Sequence, residues 1–176
     1  MFFRKKLKYN EVMVPHLSND YWDSVIDRYL DGGGVELWRA YCDRLNHSVF
    51  HQWLPETHPE KILKTDLFDE AIGTGLARTL NDNCSLLAGI DISLTTSQSA
   101  HRKHEKVLAV QADVLHLPFS DDCFDVIISN STLDHFTFKH QIDEGIKELH
   151  RILKPGGQLL ISLDNLLNPI IALRQI

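Results

Sequence analysis

Four polar side chains or pairs stand where short apolar runs stop, and a glycine-spaced turn accompanies the first. The run Ile62 to Phe68 is followed by Asp69 and then by AIGTG, with Gly73 and Gly75. Leu86 to Ile90 ends at Asp91, Val107 to Val110 leads to Asp113, and Asp125 to Ile128 leads to Ser129 and Asn130. Glycines at 73 and 75 permit a tight turn and let backbone come close to a bound molecule without a Cβ in the way. A carboxylate at Asp91, sixteen residues past Gly75, can accept from both hydroxyls of a ribose at once. Asp113 can accept from an exocyclic adenine amine while the Val114 N–H faces a ring nitrogen. Each residue alone is an ordinary turn or cap residue. Their order along the chain is what suggests a nucleotide-type site. The full GxGxxG fingerprint of dinucleotide binders is absent, because Ala71, Gly73, Gly75 and Arg78 lack its spacing.

These residues need strands that stop together. The apolar runs, joined by Leu159 to Leu163, mostly lack strict alternation, as expected of strands covered on both faces. Polar segments able to form helices lie between them. The pattern predicts an α/β fold with a doubly wound, mostly parallel sheet and helices on both faces, whose ligands bind beyond the carboxyl ends of the strands. An N-terminal helical segment precedes it. Ser18 or Asn19 can cap a helix carrying Tyr21, Trp22, Val25, Ile26, Tyr29 and Leu30 on one face, ended by Asp31 and Gly32 to Gly34. A second helix, from about Val35 to Leu54, carries the stripe Leu37, Trp38, Tyr41, Cys42, Leu45, Val49 and Trp53, and Pro55 and Pro59 close it. Asp43, His47 and His51 fall four apart on this helix, a spacing that two metal-binding histidines use, but no further ligand cluster accompanies them and no metal site is expected. Tyr21, Trp22, Trp38 and Tyr41 are packing residues or part of a lid. We divide the chain into a helical cap over 1–58 and an α/β core over 59–176.

With 176 residues the chain supports one substantial core. A formal net charge of -6 implies no broad basic face, so a small neutral or cationic substrate is expected and nucleic acid is not. The basic residues Arg4, Lys5, Lys6 and Lys8 read as a solvated terminus. Cys42, Cys84 and Cys123 form no CxxC pair, which fits a reducing cytoplasm. MFFRKKLK is not followed by a signal-length apolar core, and the tail after Leu159 is interrupted by Asp164, Asn165, Asn168 and Pro169, so no membrane association is expected.

The segments AIGTG, GIDIS, QADVLHLPFSDDCFDVIIS and ELHRILKPGGQLLIS together resemble the class I S-adenosylmethionine-dependent methyltransferases, over about Lys61 to Asn165. A helix ending in LKPGG before an apolar strand is the most specific of these features: Pro155 is expected to stop the helix, and Gly156 and Gly157 to make the turn into the sheet. The resemblance implies S-adenosyl-L-methionine as cofactor. It also implies that Asp91 holds the ribose, that Ile92 packs on adenine, that Asp113 and Val114 read the adenine edge, and that the loop of Gly73 and Gly75 lies against the methionine portion with Ser129 and Asn130 nearby. The implied reaction is methyl transfer to an oxygen, nitrogen or carbon of a small-molecule acceptor. His135, beside Asp134 after the fourth strand, is the candidate general base.

Two departures bear on this reading. The family has glycine where Ala71 stands, and KTDLFDEA is unusually acidic. A strand ending at Asp69 makes that residue the loop acid; a strand ending earlier gives the role to Asp66 and a longer loop. Further, the family continues past the LKPGG strand through another helix and an antiparallel strand pair, whereas this sequence reaches Ile176 shortly after Leu163. A last strand left at the edge would favour homo-oligomer formation. A cofactor-binding but inactive or partner-dependent protein is the second reading, and a nicotinamide-dependent oxidoreductase the third.

Overall fold

A computed structural model describes residues 18–32 and 36–163, the side chains at positions 36–39 excepted. The basic N-terminal cluster, Gly33 and Gly34, the side chains of Leu37 and Trp38, and the tail residues Asp164, Asn165, Asn168 and Pro169 lie outside the described residues.

Among the described residues five strands form one parallel sheet: β1 (Lys61–Thr65), β2 (Leu86–Asp91), β3 (Val107–Gln111), β4 (Phe124–Asn130) and β5 (Leu153–Ser162). Their spatial order is β3-β2-β1-β4-β5, so the winding reverses between β1 and β4. The expected doubly wound architecture is therefore present, with its switch point at the centre. Consecutive strand residues bury opposite faces. Ile62, Leu87, Val126 and Ile128 join one core cluster, while Leu63, Ala88, Ile90 and Ile127 join the other, which is why the runs lacked alternation.

Helices α1 (Asn19–Leu30) and α2 (Glu36–Trp53) precede the sheet. Ser18 caps α1, its Oγ accepting the Tyr21 N–H, and Ile26 is fully buried in the first cluster. The stripe expected on α2 is not what anchors it: Tyr41, Leu45 and Trp53 are exposed, and Phe50, absent from that stripe, enters the core with no exposed surface. Burying one such ring contributes about 1.5–3 kcal/mol. The His47 ring, one of the histidines at metal-like spacing, makes a 2.7 Å hydrogen bond with the Thr79 hydroxyl, and no group of metal-binding side chains is found among the described residues.

Three connections differ from expectation. First, β1 stops at Thr65, because Asp66 turns the backbone into the left-handed region at φ 66° and a short helix α3 (Phe68–Ile72) follows. Second, the chain from β3 to β4 contains no helix; it is a loop held by Arg151, whose guanidinium binds Asp121, Glu148 and the carbonyls of Leu117 and Phe119. Third, α6 (Lys139–Ile152) passes directly into β5 at Leu153, which already pairs with Phe124. Pro155 to Gly157 thus bulge within the strand and do not precede it. Gly157 is required there, since a Cβ would lie 2.8 Å from the Asp125 carbonyl oxygen on β4. The remaining helices are α4 (Ala77–Asn81) and α5 (Leu94–Lys103), with a 3₁₀ turn at Leu133–His135. Among the described residues β5 forms one sheet edge.

Candidate functional site

The two strands that flank the switch point end alike. Thr65 closes β1 and Asn130 closes β4, and the next residue in each case, Asp66 and Ser131, has positive φ, 66° and 52°. Left-handed backbone at a non-glycine residue is strained and persists only when its surroundings over-determine it, a condition met most often at ligand sites. The floor between these turns is a group of hydroxyls. Thr65 Oγ1 lies 3.1 Å from Ser129 Oγ and 2.6 Å from Thr132 Oγ1. Neither Thr65, inside the apolar run Ile62 to Phe68, nor Thr132 carried a signal in the sequence.

Asp91 stands on the next strand over. Its Oδ2 accepts the Leu67 N–H at 2.9 Å and its Oδ1 accepts the Ser93 N–H at 2.8 Å. Burial pushes this carboxyl up to about 6, against the pull of those two N–H groups. Each carboxylate oxygen keeps a second lone pair, so the group can still accept from two hydroxyls. Leu67 is fixed from the other side as well. It is buried over β2 where Gly89 leaves room, and a Cβ on that glycine would overlap the Leu67 side chain. Asp113 follows β3, the neighbour of β2, with Oδ1 accepting the Leu115 N–H at 2.9 Å. Ile92 is half-buried, Val114 is buried, and the Ile92 carbonyl accepts from the Gln111 amide. Asp91, Ile92, Asp113 and Val114 therefore share the carboxyl ends of two paired strands, as the sequence order predicted.

The glycine turn follows a short helix and not the strand itself. Asp69 lies inside α3, not at a strand end, and the acid that directly follows β1 is Asp66. The Gly73 carbonyl is 3.0 Å from Nε2 of His104, the residue that caps the far end of α5. At about 1.5 Å per residue, His104 is ~16 Å along α5 from Ser93, and its side chain spans only part of that separation. Gly75, at φ 46°, is explained internally: a Cβ there would overlap the Glu70 carboxylate. Helix α3 thus sets Gly73 against the far end of α5, while Gly75 stays beside the Glu70 carboxylate that pairs with Lys64. Ser129 and Asn130 are buried at the carboxyl edge of the sheet, Asn130 Oδ1 accepting from the Ser162 hydroxyl.

Helix α1 crosses the same edge. Asp23 Oδ1 accepts the Thr95 N–H at 3.1 Å and the Ser93 hydroxyl, which ties α1 to the start of α5. Trp22 packs edge-on against the His135 ring at 4.8 Å, and Tyr29 against Phe68 at 5.1 Å. His135 itself is exposed. Asp23 gave no signal in the sequence, since its partners are some seventy residues away. Lys64 did: a lysine inside an apolar strand run must be paired if the strand is buried.

A family model described as a methyltransferase domain matches residues 68–161. Over 110 residues the chain is 36% identical to the probable tRNA methyltransferase 9B of Bos taurus, a match that covers 62% of this chain and 23% of that protein. Over 94 residues it is 34% identical to the demethylmenaquinone methyltransferase of Corynebacterium kroppenstedtii, covering 53% of this chain and 39% of that one. The chain thus spans less than half the length of these relatives. Among solved structures, the N-methyltransferase NodS from Bradyrhizobium japonicum, in complex with S-adenosyl-L-homocysteine, superimposes with a TM-score of 0.65 at 19% identity, covering 79% of this chain and 71% of that one. With the model matched over more than half of its residues and the sheet order of a doubly wound fold, the chain belongs to the methyltransferase-domain family of class I S-adenosylmethionine-dependent enzymes.

Proposed function

We propose that the protein is a methyltransferase that binds S-adenosyl-L-methionine at the carboxyl edge of β1, β2, β3 and β4 and presents it to a small-molecule acceptor beneath α1. The paired left-handed residues Asp66 and Ser131, one past each strand that flanks the switch point, are the observation that carries this reading.

The donor set fits the cofactor. Asp91 retains acceptor capacity for a ribose diol, and Asp113 with Val114 offers an acceptor and a backbone donor for an adenine edge. Asp66 takes the place given in the sequence to Asp69. Its carboxyl is pushed well above its ordinary value by burial, although Lys64 opposes the shift. Two buried acids held up in this way are stabilised by incoming hydrogen-bond donors or positive charge, which the hydroxyls and ammonium of the cofactor supply. Gly73, held against the far end of α5, has no direct part in this arrangement.

When bound, the cofactor supplies a methyl group on a sulfonium, an excellent leaving group. The protein's share is alignment and exclusion of water. Trp22 packs on the ring of His135 just past β4, and His135 is the base for an acceptor that must lose a proton. A binder without turnover is the second reading from the sequence, and the family match leaves the nicotinamide reading without support.

An RNA acceptor is favoured by one specific observation, the 36% identity to a protein named as a probable tRNA methyltransferase. The net charge of -6 and the aromatic cover at Trp22 favour the small molecule. Methyl incorporation from labelled cofactor decides between them: label is expected in a panel of small phenols, amines and quinols, and label confined to unmodified tRNA would overturn the small-molecule reading.

A further inference from the structure

Lys64 lies in the middle of the sheet, 2% exposed, among apolar residues of β1. Its ammonium is 2.9 Å from Glu70 Oε2 and also donates to the Asp66 carbonyl. Glu70 is equally buried. Its Oε1 accepts the Leu76 N–H at 2.8 Å, and its Oε2, which accepts no hydrogen bond of ordinary geometry, lies beside the ammonium. One cation therefore touches two turns: the left-handed turn at Asp66 on the ligand edge and, through Glu70, the glycine turn at 73–75.

The turn at Asp66 needs such a restraint. Its strained backbone is held on the outer side by two hydrogen bonds, from the Phe68 N–H to Asp66 Oδ1 at 2.7 Å and from the Leu67 N–H to Asp91 Oδ2 at 2.9 Å. Lys64 is the contact from within the sheet. Burial draws its ammonium down, but the carboxylates of Glu70, Asp66 and Asp69 outweigh this and leave it at about 12, so it stays charged throughout the physiological range.

We propose that Lys64 is a positioning residue of the cofactor site, fixing the Asp66 turn through its carbonyl and coupling it to the glycine turn through Glu70. The inference rests on the cofactor reading above for its functional consequence, but not for its structural one. Removing both members of a buried ion pair in favour of apolar side chains is often neutral for stability, whereas removing one leaves a buried charge. Stability and turn geometry can therefore be separated.

The test compares the wild type with Lys64→Met and with Lys64→Met/Glu70→Met. It reads thermal midpoint, amide exchange of Leu67, Phe68 and Leu76 in the ligand-free protein, and the dissociation constant for S-adenosyl-L-methionine by calorimetry. The double variant is expected to regain most of the stability lost by Lys64→Met, while Leu67 and Phe68 exchange at least tenfold faster than in the wild type and the dissociation constant rises at least tenfold. Recovery of stability, amide protection and affinity together would make the pair mere packing and overturn the proposal. Should the double variant fail to fold, Glu70→Gln decides. That variant keeps Lys64 on the Asp66 carbonyl, so Leu76 is expected to exchange faster while Leu67 and Phe68 stay protected; equal loss at all three overturns the role given to Lys64. A wild type that binds no S-adenosyl-L-methionine sinks the cofactor reading, and the exchange data still decide what Lys64 holds.

Discussion

The Asp91 carboxylate accepts the Leu67 N–H at 2.9 Å, so the acid at the end of β2 fixes the turn that follows β1. Its other oxygen accepts the Ser93 N–H at 2.8 Å, at the cap of α5. One side chain thus joins two of the segments at the carboxyl edge of the sheet, and each of its oxygens keeps a second lone pair. Asp91→Asn turns one acceptor into a donor opposite an N–H. A lost hydrogen bond to a charged group costs ~1.5–3 kcal/mol, so cofactor affinity is expected to fall roughly 10–100-fold. Calorimetry with S-adenosyl-L-methionine measures this, and unchanged affinity removes Asp91 from the site.

Protonation supplies the second prediction. The folded value of about 6 for Asp91 lies above its ordinary 3.8, so the folded chain holds this proton more tightly than the unfolded chain. Stability from this group is therefore greatest at low pH and is lost as pH rises from about 4 through 6. Ligand donors favour the ionised form, so cofactor affinity is expected to rise between pH 5 and 7 and then level. The profile of the dissociation constant against pH tests this; affinity that falls over that interval contradicts it.

Gly89 and Leu67 provide a test of the turn that leaves the acids untouched. A Cβ at position 89 would overlap the Leu67 side chain in the middle of β2. Gly89→Ala is expected to cost ~1–3 kcal/mol of stability by overpacking and to weaken cofactor binding by displacing the Leu67 N–H. Leu67→Ala in the same background should restore part of the stability, read from urea midpoints.

The two loop glycines are expected to behave differently. Gly75 is at φ 46° against the Glu70 carboxylate, whereas a Cβ at Gly73 would meet only the Asp69 carbonyl oxygen at 3.5 Å. Gly75→Ala should destabilise the fold by ~1–2 kcal/mol for the left-handed backbone, with more for the overlap. Gly73→Ala should leave both stability and cofactor affinity within about twofold. Strong loss of binding in Gly73→Ala would return the glycine turn to the ligand.

His135 and Trp22 bear on turnover. If His135 takes the acceptor proton, His135→Gln is expected to lower kcat by ~10²–10⁴ while cofactor affinity is unchanged. Trp22→Ala should mainly raise the acceptor KM, since the indole packs on the His135 ring. Steady-state kinetics with both substrates varied separates the two effects.

Much of this molecule was legible in one dimension. Apolar runs without alternation imply strands buried on two faces, and a parallel sheet places every run's end on one edge, so Asp91, Asp113, Ser129 and Asn130 could be grouped from their places along the chain alone. Ser18 as a helix cap was equally local, because its partner Tyr21 is three residues away. The resemblance carried by LKPGG led to the family, although Pro155 to Gly157 turned out to bulge within β5.

The stretch after β1 could not be read in this way, and the reason is physical. The sequence offered Asp69 as the loop acid if the strand reached it, and Asp66 if the strand ended earlier. Tertiary structure ends the strand at Thr65: Asp66 turns left-handed, Leu67 settles over Gly89 and onto Asp91, and a helical turn inserts before Gly73. Those choices depend on partners in β2 and on a Lys64–Glu70 pair whose cost of burial is offset only when both side chains meet at 2.9 Å. The sequence by itself determined the order of the strands' polar ends and the family they belong to, because both follow from local pattern. Where β1 ends and what turn and helix follow it was decided by contacts between segments far apart in the chain.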